Sequence, residues 1–161
     1  MTSRRYGAAG IVLAKSIEIF GGNVGEEPFK LNSTEIITEE GQVSPGPEMP
    51  TAVYHHAIAG VNSTTSILTG GRTYHSYLSN YGTYASENSP LTWYFNHVSQ
   101  KFQPGPSLIT GRRFHASGTI QDQETKEDFV AVVGGYGNGY YFLDSTEFLI
   151  NGEWTPGKYS C

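Results

Sequence analysis

The chain has little of what most small enzymes and secreted domains rely on. Its single cysteine is Cys161, the last of 161 residues. No internal disulfide can form, and no cysteine cluster can hold a metal. That points toward a reducing compartment, whereas the triplets Asn32-Ser33-Thr34 and Asn62-Ser63-Thr64 fit the glycosylation pattern of secreted chains. A cytoplasmic protein and a secreted fragment therefore both stay open. The short apolar stretch from Gly7 to Ala14 runs directly into Lys15 and Glu18, so it is not expected to be a signal peptide. No run is long and apolar enough to span a membrane. No window repeats apolar residues three and four apart, which excludes a helical bundle. Basic residues are also scarce: 10 Lys and Arg against 15 Asp and Glu leave a net charge of −5. A nucleic-acid binder needs the opposite balance on at least one face.

Chemistry-bearing motifs are missing too. There is no Gly-x-Ser-x-Gly. The glycines of Gly134-Gly135-Tyr136-Gly137-Asn138-Gly139 look like a nucleotide loop, but no helical pattern follows to hold a phosphate. His55, His56 and His75 have no carboxylate at metal-ligand spacing. Glu35 and Glu147 recur at one repeat position, as strand residues do, and are not expected to form an acid/base pair. The acidic run from Glu124 to Asp128 reads as a solvated turn. The expectation is no catalysis, no cofactor and no metal.

Glycine (20) and tyrosine (11), in contrast, are plentiful, a composition of short strands joined by turns. They are organised by an internal repeat. Double glycines stand at Gly21-Gly22, Gly70-Gly71 and Gly134-Gly135, each ending a β-like run such as Val130-Ala131-Val132-Val133. Downstream of each lies Pro-Gly, at Pro45-Gly46, Pro104-Gly105 and Pro156-Gly157. Between them, the segment from Leu31 to Ile37 matches that from Leu143 to Leu149, with Asn32 and Asp144 as equivalent turn residues. At the starts of the repeats, Arg4-Arg5-Tyr6-Gly7 aligns with Arg112-Arg113-Phe114-His115, so His56 and His115 share a position that Gly7 takes in the first copy. The repeats run about 4–50, 51–109 and 110–157. Two insertions make them unequal: Arg72 to Pro90 in the second and Gln121 to Asp128 in the third. Each repeat accommodates four strands, in the third near Phe114–Ile120, Phe129–Val133, Thr146–Ile150 and Glu153–Thr155.

This pattern resembles the kelch-repeat family: an apolar strand ending in double glycine, an aromatic fourth strand near Trp154, a proline-rich exit, then Arg and His at the next unit. Val43 and Phe102 stand in the place of Trp154. The resemblance implies an all-β chain of three four-stranded antiparallel blades of a kelch-type β-propeller. Closed propellers of that family commonly have six or seven blades, so three imply a partial propeller. It would be a fragment of a longer protein, half of a six-bladed homodimer, or a free-standing arc. In such blades Gly21, Gly22, Gly70, Gly71, Gly134, Gly135, His56, His115 and Trp154 are structural. The histidines are expected to bond backbone across blade junctions, and Arg112 and Arg113 to brace loop carbonyls.

Antiparallel blades sort the loops onto two rims. One rim collects 23–30, 72–90 and 136–142 with the proline-rich links. It carries Arg72, Tyr74, His75, Tyr77, Tyr81, Tyr84, Tyr136, Tyr140 and Tyr141, and Tyr and Arg dominate binding hot spots. The functional expectation is a scaffold that presents this rim to a protein or peptide partner. The alternative is a structural segment, or a piece of a larger propeller protein or enzyme, with no activity of its own.

Overall fold

A computed structural model describes residues 3–25, 31–78, 83–139 and 141–157. Among them the chain is all-β, with no α-helix. Strands β1 (Ala9–Val12), β2 (Ser16–Phe20), β3 (Thr34–Thr38) and β4 (Val43–Pro45) form a first antiparallel sheet in sequence order. A second contains β5 (Ala57–Asn62) and β6 (Thr65–Thr69). Its neighbours in sequence, β7 (Arg72–Leu78) and β8 (Thr83–Asn88), leave it to form a hairpin of their own. Then β9 (Thr92–Asn96) and β10 (Lys101–Pro104) complete it in the order β5-β6-β9-β10. In the third stretch β11 (Arg112–Arg113) pairs only with β14 (Tyr136–Gly137). Strands β12 (Ala116–Gln121), β13 (Asp128–Val133), β15 (Thr146–Ile150) and β16 (Glu153–Pro156) form the third four-stranded sheet. The 72–90 insertion is thus largely strand, and the 121–128 insertion lengthens the β12–β13 ladder to Gln121↔Asp128.

The sheets bury their apolar faces against each other. Phe20 and Ile11 of the first sheet meet Ile58, Leu68, Phe95 and Phe102 of the second, with Met49 of the connecting link. Ala59 and Ile67 on the other face of the second sheet meet Val130, Val132, Leu149 and Trp154 of the third, with Leu108 of the next link. Each fully buried Phe or Ile side chain contributes roughly 1.5–3 kcal/mol by leaving water. Val43, Phe102 and Trp154 do share one position, pairing with Ile37, Phe95 and Leu149. Only Trp154 also bonds across the junction, from Nε1 to the carbonyl of Pro106 at 2.9 Å.

The alignment of the repeat starts needs a one-residue correction. Ladder partners make Ala9 equivalent to Ala116, since Ala9 faces Phe20 and Ala116 faces Val133. Hence Arg5 matches Arg112, and Ala8, not Gly7, takes the histidine position. Gly7 instead matches His55 and Phe114. All three have left-handed backbones, with φ of 63°, 57° and 54°.

The double glycines sit where neighbouring units touch. A Cβ on Gly70 would lie 2.4 Å from the carbonyl of Arg112, and one on Gly71 2.4 Å from the Val53 side chain. The space admits no side chain there, and φ of 61° and 94° would strain one in addition.

Candidate functional site

The left-handed residues stack into a column that ties the three units together. The His55 amide donates to the Gly7 carbonyl at 2.7 Å, and the Phe114 amide to the His55 carbonyl at 3.0 Å. Above this backbone the rings converge. The His55 imidazole stacks on Phe114, centroids 3.8 Å apart, and Tyr54 lies 4.5 Å from it. Tyr6 meets Tyr54 edge-on at 6.4 Å. The Arg113 guanidinium sits over Phe114 at 5.6 Å and Tyr136 at 5.1 Å, and Tyr136 makes a T-shaped contact with Phe142 at 5.0 Å. Phe114, Gly135, Tyr136, Phe142 and Leu143 line a shallow open groove of about 440 Å³. Phe114 and Phe142 are 61 % and 85 % exposed, which makes this edge accessible to a partner.

The charge of this edge is fixed by the two arginines. Burial first, then Arg113 and Arg72, lower the His55 pKa to about 4. His55 is therefore neutral near pH 7 and the cationic character lies on the guanidiniums.

Several residues singled out in the sequence meet here and others do not. Arg72 pairs by backbone with Tyr54, and Tyr136 with Arg113. The β7–β8 hairpin is tied to the 136–142 loop: the Asn88 side-chain amide donates to the Tyr136 carbonyl at 2.8 Å, and the Asn88 backbone amide to Asn138 Oδ1 at 3.0 Å. Tyr141 is exposed and lies against Gly137 and Gly139. The backbones of Tyr74, Tyr77 and Tyr84 lie in the hairpin, with His75 at a break in its register. Tyr81 and Tyr140 lie outside the described residues. Sequence reasoning missed Tyr6, Tyr54, His55, Arg113, Phe114 and Phe142. The one available signal was that His55 and Phe114 occupy the place of Gly7, which the shifted alignment concealed.

The structural residues behave differently from expectation in three respects. First, His115 does more than bond backbone: its Nε2 pairs with the Thr69 hydroxyl at 2.8 Å across the junction, beside a backbone hydrogen bond with Thr69 that favours the charged ring. His56 bonds through neither ring nitrogen among the described residues. The reason is local, because the position of Thr69 in the first sheet is Phe20, which has no hydroxyl. Burial lowers the His56 pKa to about 3 and that of His115 to about 4, with His115 and Arg112, respectively, the next cause.

Second, Arg112 braces its own unit. It donates to the carbonyls of Gly134 (2.9 Å) and Ser145 (3.1 Å) and to Glu147 Oε1 (2.6 Å). Arg5 repeats this set with Gly21, Ser33 and Glu35. Arg113 instead stacks on the aromatic edge. In the second unit the equivalent pair is Val53 and Trp93, both packed in one apolar cluster. Third, Asn32 reaches Glu48 Oε2 at 3.2 Å rather than its own backbone.

A second constellation has the distances of a nucleophilic triad. His97 donates through Nδ1 to Glu18 Oε2 at 2.6 Å, and its Nε2 lies 2.8 Å from the Ser66 hydroxyl. Ser66, however, is 1 % exposed, so no substrate reaches it. The trio clamps the first sheet to the second, with Gln100 donating to the other Glu18 oxygen at 3.1 Å. Among the described residues no group of three or more His, Cys, Asp or Glu could hold a metal, and no helix is long and apolar enough to cross a membrane.

No family model and no curated protein matches the chain. Among solved structures it is similar to that of YjhT, with a TM-score of 0.75 over 97 % of the chain at 13 % identity. The chain spans 46 % of the length of that protein. At this identity the likeness speaks for the fold alone: an all-β arrangement of antiparallel sheets.

Proposed function

We propose that the chain is three consecutive blades of a kelch-type β-propeller, spanning about 4–50, 51–109 and 110–157, whose aromatic and arginine edge holds a protein or peptide partner. The kelch assignment rests on the repeated double glycine, the aromatic fourth strand and the Pro-Gly exit; the three ordered four-stranded sheets support it. The observation that carries the binding reading is the left-handed column. Glycine serves there in the first unit, yet His55 and Phe114 occupy the same conformation, at a cost of order 1–2 kcal/mol each. Strain of this kind is retained where the side chain has a task. The task here is a continuous ring surface flanked by guanidiniums, the composition of a binding hot spot.

The test is selection of peptides from a random display library, followed by amide-exchange mapping. Selected peptides protect the Gly135–Leu143 segment, and Tyr136→Ala with Phe142→Ala weakens them by about thirtyfold or more. Peptides that bind equally well to that variant sink the proposal. A second reading, that the units only complete a larger assembly, is favoured by the 46 % span of YjhT; it predicts no selectable peptide at this edge.

A further inference from the structure

The chain builds one junction twice, and this shows what its two outer faces lack. At the first junction the Gly22 amide donates to the Val53 carbonyl of the next unit at 2.9 Å. At the second the Gly71 amide donates to the Arg112 carbonyl at 2.8 Å. The equivalent donor in the third unit, the Gly135 amide, has no partner among the described residues. The equivalent acceptor in the first unit, the Arg5 carbonyl, has none either. The inner column repeats the same imbalance. His55 donates to Gly7 and Phe114 to His55, leaving the Gly7 amide and the Phe114 carbonyl over. Two donors and two acceptors thus remain, one of each on either end, in the register that the internal junctions use. Unlike Gly21 and Gly70, which touch the next unit, Gly134 has nothing nearer to an added Cβ than Leu143 of its own loop, at 3.5 Å.

The side chains on these ends are also two halves of one junction. Ile19, Ile37 and Val43 occupy in the first sheet the positions of Leu68, Phe95 and Phe102, which face the preceding unit. Ile120, Val133 and Phe148 occupy in the third sheet positions that face the following unit, and Ile120 and Val133 are 45 % and 48 % exposed.

We propose that a second copy of the chain covers these faces head to tail. Gly135 of each copy donates to Arg5 of the other, Gly7 donates to Phe114, and two such junctions close a ring of six units with twofold symmetry. The 46 % span of YjhT fits this, since two copies approach the length of that protein. The junction shares Phe114 and Gly135 with the aromatic groove, so a second copy and a peptide held there compete, and the mass is read without peptide.

Sedimentation equilibrium of the purified chain tests it. The expected mass is twice the 17.6 kDa of one chain. Val43→Lys and Val133→Lys, both at exposed positions, each leave a folded monomer by circular dichroism. Mixing the two variants restores a one-to-one pair, because one intact head then meets one intact tail. A wild-type monomer across the accessible concentration range overturns the proposal. So does a dimer insensitive to either variant, a mixture that stays monomeric, or growth into longer filaments. A monomeric wild type leaves a unit of a longer chain as the occupant of these faces.

Discussion

Removing the Glu147 carboxylate should be among the most damaging single changes in this protein. Its side chain is buried, accepts the Arg112 guanidinium at 2.6 Å, and also accepts the amides of Ile109 and Thr110 at 2.7 and 3.0 Å. In Glu147→Ala the fully buried Arg112 keeps the carbonyls of Thr110, Gly134 and Ser145 and the Ser145 hydroxyl, but no counter-charge. Breaking one side of a buried pair costs about 3–5 kcal/mol, and each orphaned amide adds about 1–3 kcal/mol. The sum rivals the whole stability of about 5–15 kcal/mol typical of a domain. Arg112→Met should cost less, about 3 kcal/mol, because Glu147 retains two backbone donors. The second unit shows how the pair can be dispensed with. Its equivalents are Val53 and Trp93, and the residue matching Ile109 is Pro50, which has no amide to orphan. The triple replacement Arg112→Val, Glu147→Trp, Ile109→Pro removes the charge pair and one of the two donors together, and is expected to recover most of the loss. Urea unfolding with linear extrapolation measures all three variants. If Glu147→Ala lies within about 1 kcal/mol of wild type, the range of an ordinary substitution, the reasoning fails. It fails equally if the triple variant is as unstable as the sum of its parts.

Two further outcomes follow from the junctions. The pKa values of His56 and His115 are lowered from 6.5 to about 3 and about 4, so the unfolded chain binds protons that the folded chain refuses. Their contribution is complete above about pH 6.5 and declines as pH falls toward 4, with a slope approaching about 1.4 kcal/mol per pH unit for each. His56→Gln should flatten urea midpoints between pH 6.5 and 5, and an unchanged slope refutes the assignment. Gly70→Ala forces a Cβ to 2.4 Å from the Arg112 carbonyl, whereas Gly134→Ala meets nothing nearer than 3.5 Å at nearly the same φ. Measured in thermal unfolding of the monomeric Val43→Lys background, the first should be clearly the more destabilising, and equal losses would show that φ alone matters there.

The repeat was legible because its marks are local. A strand that must turn beside another backbone needs glycine, and an exit loop tolerates proline, so Gly70-Gly71 and Pro104-Gly105 announce themselves without knowledge of neighbours. The alignment of Arg5 with Arg113 went astray for the same reason. Nothing local distinguishes the two arginines, and only the ladder from Ala9 to Phe20 fixes which one meets Glu147 or its equivalent. The 72–90 insertion was legible as an insertion, and its hairpin was not, because its pairing follows no apolar alternation.

The sequence by itself determined an all-β chain with a threefold internal repeat and the positions of most strands. Those features depend on backbone conformation and on contacts a few residues apart. Only the tertiary structure decided that His55 and Phe114 form a left-handed column, that Arg113 joins the rings while Arg112 is buried, and that His115 finds a hydroxyl where His56 finds none. Each of those depends on what a neighbouring unit places opposite, and a residue's partner across a junction is not written in the residues beside it.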